Sequence, residues 1–203
     1  MAQAKSWDLL IKNVRVVRPH GNAVHEADIA IRGGRFAKVA PSIPVKEAKK
    51  TYDGKGRLAF PGACCRRETK AAKKYFGNIW LAKSGFGGTQ YLLPALVSEG
   101  TKRGMSYGHM ARLTSWNPAR RFGLNSKGDI AEGLDADLAL LEPRESWTIR
   151  ARDSESTQGY TPFEGLELSS KVTATFLRGE LICERGNVLG KPRGRYLHRP
   201  TVI

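Results

Sequence analysis

Histidine and cysteine are scarce in this chain, and neither is spaced to hold a metal. Among 203 residues there are four histidines and three cysteines, with no His-x-His pair anywhere. Cys64 and Cys65 are adjacent, which is neither the C-x-x-C of a zinc knuckle nor part of a disulfide framework, so free thiols are expected. Long apolar runs are also missing. No stretch approaches the roughly 20 residues of a membrane span, and the opening MAQAKSWDLLIKNV lacks the apolar centre of a secretory signal. The expectation is a cytoplasmic protein with no membrane partner. Acidic residues are outnumbered, 19 Asp and Glu against 34 Lys and Arg, leaving a net charge of +15. Such an excess suits a polyanion. The cations come in short scattered groups, however, at Lys46 to Lys50, Arg66 to Lys74, Arg103, Arg120-Arg121 and Arg193 to Arg199. Without zinc-finger spacing or an RNA-recognition aromatic motif, nucleic-acid binding is not expected as the primary role.

What is present is an ordinary globular composition, 40% hydrophobic, in a length that suits one good core or two small ones. Trp7 to Arg18 reads as a strand through Leu9, Ile11, Val14, Val16 and Val17, with Asn13 as a local irregularity. A turn at Pro19 to Asn22 precedes a hairpin, Ala27 to Ile31 and Arg35 to Ala40, joined by Gly33-Gly34. Thr51 to Phe60 reads as a further strand broken at Gly54 and Gly56. Arg66 to Phe76 has helix-favouring composition, as a helix or a loose linker. Gln90 to Lys102, Met105 to Ser115 and Asn117 to Phe122 read as helices. Strands return at Ala136 to Leu141, Trp147 to Arg150, Lys171 to Arg178 and Glu180 to Glu184, with Gly179 turning the last hairpin.

The most informative stretch is Thr114 to Pro143, TSWNPARRFGLNSKGDIAEGLDADLALLEP. Pro118 suits the first turn of a short helix, where its missing N–H has no partner to lose. Gly123 can stop that helix, Lys127-Gly128 makes a turn, and Asp135-Ala136-Asp137 leads into the apolar run Leu138 to Leu141. The ordered set Asn117, Pro118, Ala119, Arg120, Phe122, Gly123, Leu124, Lys127, Gly128, Ile130, Gly133, Asp135, Ala136, Asp137, Leu138, Glu142 and Pro143 resembles the C-terminal signature of the cyclic amidohydrolases, the dihydropyrimidinase, hydantoinase, allantoinase and dihydroorotase group. DLLIKNVRVV, DIAIRGGRFAKVA and GRLAFPG are similar to that family's opening strands, and Thr161-Pro162-Phe163-Glu164-Gly165 to its S-P-F-E-G loop.

The resemblance implies an α+β fold: a β-sandwich lobe built from N- and C-terminal strands with an inserted helical segment. Residues 1–62 and 133–190 would form the composite lobe, 63–132 the helical segment resembling the end of the family's (β/α)8 barrel, and 191–203 a mobile tail. A full barrel takes about 250 residues and rarely fewer than about 200, so none fits between the two β-rich ends. In the family, F-P-G is followed by Asp-x-His-x-His, which binds the catalytic metal; here Phe60-Pro61-Gly62 is followed by Ala63-Cys64-Cys65-Arg66-Arg67. The chain thus passes from before barrel strand one to after barrel strand eight between Gly62 and Ala63. The resemblance implies zinc in the family but no cofactor and no metal ligands in this chain, and therefore no catalytic residues and no hydrolysis of cyclic amides by the chain alone.

Ser84, Gly85, Phe86, Gly87 and Gly88 resemble the remnant of the family's substrate-bordering loop. Read from the residues, they are a glycine-rich turn leading into a helix, without the Gly-Lys-Ser/Thr order of a phosphate loop. The helices after it would normally rest on barrel strands. Their apolar faces must find each other, the sandwich lobe or a second subunit, which makes self-association, or association with a full-length relative, the expected partnership and a scaffolding role the alternative function. Among other candidates, His20 and His25 flank a turn and read as a surface pair. Cys64 and Cys65 read as passive thiols beside Arg66, Arg67 and Lys70, and Cys183 as a small core residue. Asp135 and Asp137 have a turn and strand-leading role.

Overall fold

The computed structural model describes residues 6–62, 88–156 and 159–197. The expectations for Arg66 to Phe76, Cys64, Cys65, Ser84, Gly85, Phe86 and Gly87 lie outside these residues.

The first strand, β1 (Trp7–Val16), is the longest, and the sheet is built around it. The hairpin β2 (His25–Arg32) and β3 (Arg35–Ala40) lies on one side of β1. On the other side β4 (Ala48–Asp53) runs parallel to its first half and β5 (Leu58–Pro61) parallel to its second. One strand can serve two neighbours because the pairing with β2 slips between Ile11 and Val14, where Asn13 is left-handed at φ 54°. The Asn13 amide then donates to the Asp28 carboxylate at 3.0 Å. The irregularity expected at Asn13 is therefore a bulge with its own hydrogen-bond partner. The break expected at Gly54 and Gly56 is the turn that separates β4 from β5, with Lys55 and Gly56 both at positive φ.

The C-terminal strands extend the same sheet. Strand β6 (Leu138–Glu142) is antiparallel to β5, and β9 (Lys171–Leu177), β10 (Glu180–Glu184) and β11 (Asn187–Val188) follow outward. Nine strands of the described residues share this mixed sheet, and N- and C-terminal segments meet at β5–β6. The Trp147 to Arg150 strand is shorter than expected: β7 (Trp147–Thr148) pairs only with β8 (Glu167–Leu168) in a separate ribbon. The β9–β10 hairpin turns at Arg178 (φ 48°) and Gly179 (φ 77°), the two positive angles of a type I′ turn.

The sheet folds over on itself. Tyr52 of β4 packs edge-on against Phe176 of β9 with ring centres 5.2 Å apart, and donates its hydroxyl to Glu184 of β10 at 2.8 Å. Gly179 sits against Ile31, where a Cβ would come within 2.6 Å of the isoleucine side chain. Between the folded halves lie Ile11, Ile29, Phe36, Ala59, Leu138, Leu140 and Phe176, all buried.

The alternation of β5 and β6 divides two cores. Ala59 and Leu140 face inward between the sheet halves, whereas Leu58, Phe60 and Leu141 face the helices. There α1 (Leu92–Lys102) contributes Leu93 and Val97, and α2 (Tyr107–Ala111) contributes Met110 and Ala111. Burying Leu93, Val97 and Met110 contributes roughly 1.5–3 kcal/mol each. Of the partners the sequence allows for these helix faces, the described helices use the sheet and each other.

One helix boundary differs from expectation. Met105 to Ser115 and Asn117 to Phe122 are a single run: α2, a π turn over Arg112–Trp116, then α3 (Asn117–Arg121). Pro118 therefore does not open a new helix. It has no N–H to give to the turn before it, and the run widens by one residue there, with the Asn117 amide bonding back to the Arg112 carbonyl.

Candidate functional site

The end of β5 is where the chain leaves the sheet, and the stretch from Ser115 to Arg178 closes around it. The Gly62 amide donates to the Asp137 carbonyl at 2.9 Å, and a Cβ on Gly62 would lie 2.9 Å from that of Asp137. Only glycine allows the two backbones so close. From the other side, buried Ser115 in the π turn donates its hydroxyl to the Pro61 carbonyl at 2.9 Å. Gly128, at φ 101°, lies against Ser115, Trp116 and Ala119 and carries the next loop across the helix.

That loop delivers Lys127 to both carboxylates of the Asp-Ala-Asp segment. Its ammonium lies 2.9 Å from Asp135 and contacts Asp137, and all three side chains are at least four-fifths covered, at 15%, 14% and 17% exposure. Ser126 donates to Asp135 at 2.9 Å, and the Arg178 amide donates to Asp137 at 2.7 Å. Burial pushes the Asp135 carboxyl upward, but the hydrogen bonds from Lys127 and Ser126 outweigh it and hold the group below its ordinary value. Each carboxylate thus accepts from the Lys127 ammonium and from one further donor. The arrangement fixes the β9–β10 turn to the start of β6.

Two further ion pairs brace the sheet, one past the end of β1 and one at its bulge. Arg18, just past β1, grips Asp129 with two bonds of 2.7 Å, while Asp129 also accepts from the Ile130 amide. Asp28 accepts from Lys12 at 2.5 Å, from the Ile43 amide at 2.8 Å and from the Asn13 amide at 3.0 Å. Burial raises the Asp28 carboxyl, and these donors more than reverse it. Sequence reasoning expected Asp135 and Asp137 to shape a turn and lead a strand, as they do, but missed Lys127 as their shared counter-ion and missed both other pairs. Lys127 belongs to the same ordered signature, which was the available signal. Arg18 and Asp129 stand far apart in the sequence with no motif between them.

Of the glycine-rich loop, only Gly88 is among the described residues. It stands at the head of the helical run, where its carbonyl accepts from the Tyr91 amide at 2.9 Å. The histidines are dispersed: His20 packs against Trp116 with ring centres 4.1 Å apart, His25 begins β2, and His109 lies in the first turn of α2, its amide capped by Ser106. Among the described residues no group of three or more His, Cys, Asp or Glu could hold a metal ion. No helix of the described residues is long and apolar enough to cross a membrane.

Comparison with known proteins places this geometry. The profile of the amidohydrolase family matches residues 85–182. An allantoinase of Rubrobacter xylanophilus is 37% identical over 175 residues, covering 83% of this chain and 38% of that enzyme. A dihydroorotase of Pyrococcus abyssi is 42% identical over 101 residues, 49% of this chain and 25% of that enzyme. The chain thus spans well under half the length of these relatives. Among solved structures, the L-hydantoinase (dihydropyrimidinase) of Arthrobacter aurescens superposes with a TM-score of 0.79 at 12% identity, over 91% of this chain and 98% of that one. That likeness is one of fold.

Proposed function

Because the chain belongs to the amidohydrolase family, with relatives among the allantoinases and dihydroorotases, we propose that it is a barrel-less member of the cyclic-amide hydrolases and does not open cyclic amides by itself. The observation that carries this reading is the join: Phe60-Pro61-Gly62 ends β5 and runs directly into Ala63-Cys64-Cys65, with no His-x-His anywhere in the sequence. Hydrolysis of a ring amide needs a Lewis acid to polarise the carbonyl and lower the pKa of water, and a carboxylate to move the proton. The signature carboxylates Asp135 and Asp137 are instead committed to Lys127. What the chain keeps is the sheet lobe and the helices that close it.

The test is metal content and turnover measured together on purified protein, with allantoin, dihydroorotate, hydantoin and dihydrouracil as substrates. Substoichiometric zinc and no ring opening are expected. Stoichiometric zinc with turnover abolished by a chelator would overturn the proposal.

A second reading is a scaffold that joins copies of itself or a full-length relative. It is favoured by Leu92 and Leu113, which stand 46% and 44% exposed on the helical layer. Light scattering after size exclusion, alone and mixed with a full-length allantoinase, decides it. A clean monomer that ignores the larger protein counts against a scaffold.

A further inference from the structure

The sequence scatters its cations, but the helical run from α2 to α3 gathers some of them in a span without acids. From Gly100 to Gly128 there is no aspartate or glutamate. Within that span the helical run from α2 to α3 exposes His109, Asn117, Arg120 and Arg121, with Arg112 half-buried beside them. The turn after β1, also free of acids from Pro19 to Val24, lies directly against the start of this run: Gly108 sits so close to the Gly21 carbonyl that a Cβ would reach within 1.7 Å of it, and Ser106 is 3.2 Å from Asn22. This contact brings exposed His20 onto Trp116, with the rings at 86° and 4.1 Å apart. Arg120 covers the same indole, its guanidinium carbon 4.0 Å from the ring centre.

Other cations of the described residues are ion-paired, Arg18 with Asp129, Lys127 with Asp135 and Asp137, and Lys102 and Arg103 with Glu99. Arg120 and Arg121 have no ion-pair partner among the described residues. A guanidinium stacked on an indole is held in place before any ligand arrives, with its outer face and N–H groups turned to solvent. An exposed cation pair with no ion-pair partner among the described residues, beside the His20 imidazole, suits the spaced negative charges of a phosphate chain. We propose that this face binds the phosphate backbone of single-stranded nucleic acid without reading its sequence, a role separate from the cyclic-amide ancestry. The lack of a base-reading motif is consistent with it, since phosphate contacts need none.

The experiment is fluorescence anisotropy of labelled oligouridine with the full chain over a salt series, with Arg120→Glu/Arg121→Glu as the test variant and Lys46→Glu/Lys50→Glu as a control of equal charge change. Binding is expected to fall linearly in log–log form with salt, and the test variant to reduce that slope by about 2 while the control leaves it in place. Arg120→Ala/Arg121→Ala with an unchanged circular-dichroism melt separates loss of contact from loss of fold, and is expected to weaken binding as well. Salt-insensitive binding, no binding, or equal loss in test and control variants overturns the proposal. Retention on heparin without binding of oligouridine does so too, because it indicates only a response to net charge.

Discussion

At the scale of single residues, the ion pairs govern acid stability. Asp28 and Asp135 both titrate below their ordinary value in the folded chain, whereas an unfolded aspartate titrates near 3.9. The unfolded state therefore binds more protons as pH falls. The stability these groups contribute is complete above about pH 5 and disappears as pH drops through the unfolded and then the folded values. Melting temperature is expected to be flat from neutrality to about pH 5 and to fall below it, with Asp135→Asn less steep across the acid range than the native chain. Replacing the cation is harsher. Lys127→Met leaves two largely covered carboxylates facing each other and is expected to cost about 2–3 kcal/mol in urea unfolding, below the full penalty for a buried pair because some water reaches the site. The triple replacement Lys127→Met/Asp135→Asn/Asp137→Asn, which leaves no uncompensated charge, should recover part of that loss.

Secondary structure was largely legible in the sequence, because its signals are local. Apolar alternation or short apolar runs located β1, β2, β3, β6, β9 and β10, and Gly33-Gly34 and Gly179 located the two hairpin turns. The helical run was harder to bound. Proline at 118 argues for a new first turn when only neighbours are considered, yet the run continues through a π turn because Ser115 is anchored to the end of β5 and Met110 and Ala111 are held in the core. Tertiary packing overrode a local stop. The same element contains its least replaceable residue, Gly108, at the Gly21 carbonyl. Gly108→Ala would normally gain helix propensity, but here the methyl group meets backbone, so a loss of about 2 kcal/mol or more is expected from the forced separation of α2 and the turn. Gly104→Ala, where a Cβ meets nothing but φ is 73°, tests strain alone and should cost about 1 kcal/mol. If the two substitutions cost the same, the close contact at Gly108 is not what limits the element.

For the whole molecule, pairing across distant segments is what pattern reading could not supply. That N- and C-terminal strands share one lobe followed from the family signature. That Tyr52 would meet Phe176 and Glu184, or Arg18 meet Asp129, followed from nothing local. The Tyr52 contacts join the two halves of the folded sheet, and they offer a way to measure the coupling. Burial, then the hydrogen bond to Glu184, pushes its hydroxyl up to about 12 from an ordinary value near 10. A folded value above the unfolded one means that the contribution is complete below pH 10 and is lost as pH rises through 12. Native protein should therefore lose stability across that interval, and Tyr52→Phe, which keeps the ring against Phe176 but cannot ionise, should lose less. Because β5 and β6 join the halves in one ladder, that loss should appear as one displaced urea transition, coincident by tryptophan fluorescence and far-ultraviolet circular dichroism. Two separated transitions at pH 11 would instead show that the N- and C-terminal strands unfold independently, and that the β5–β6 ladder does not couple them.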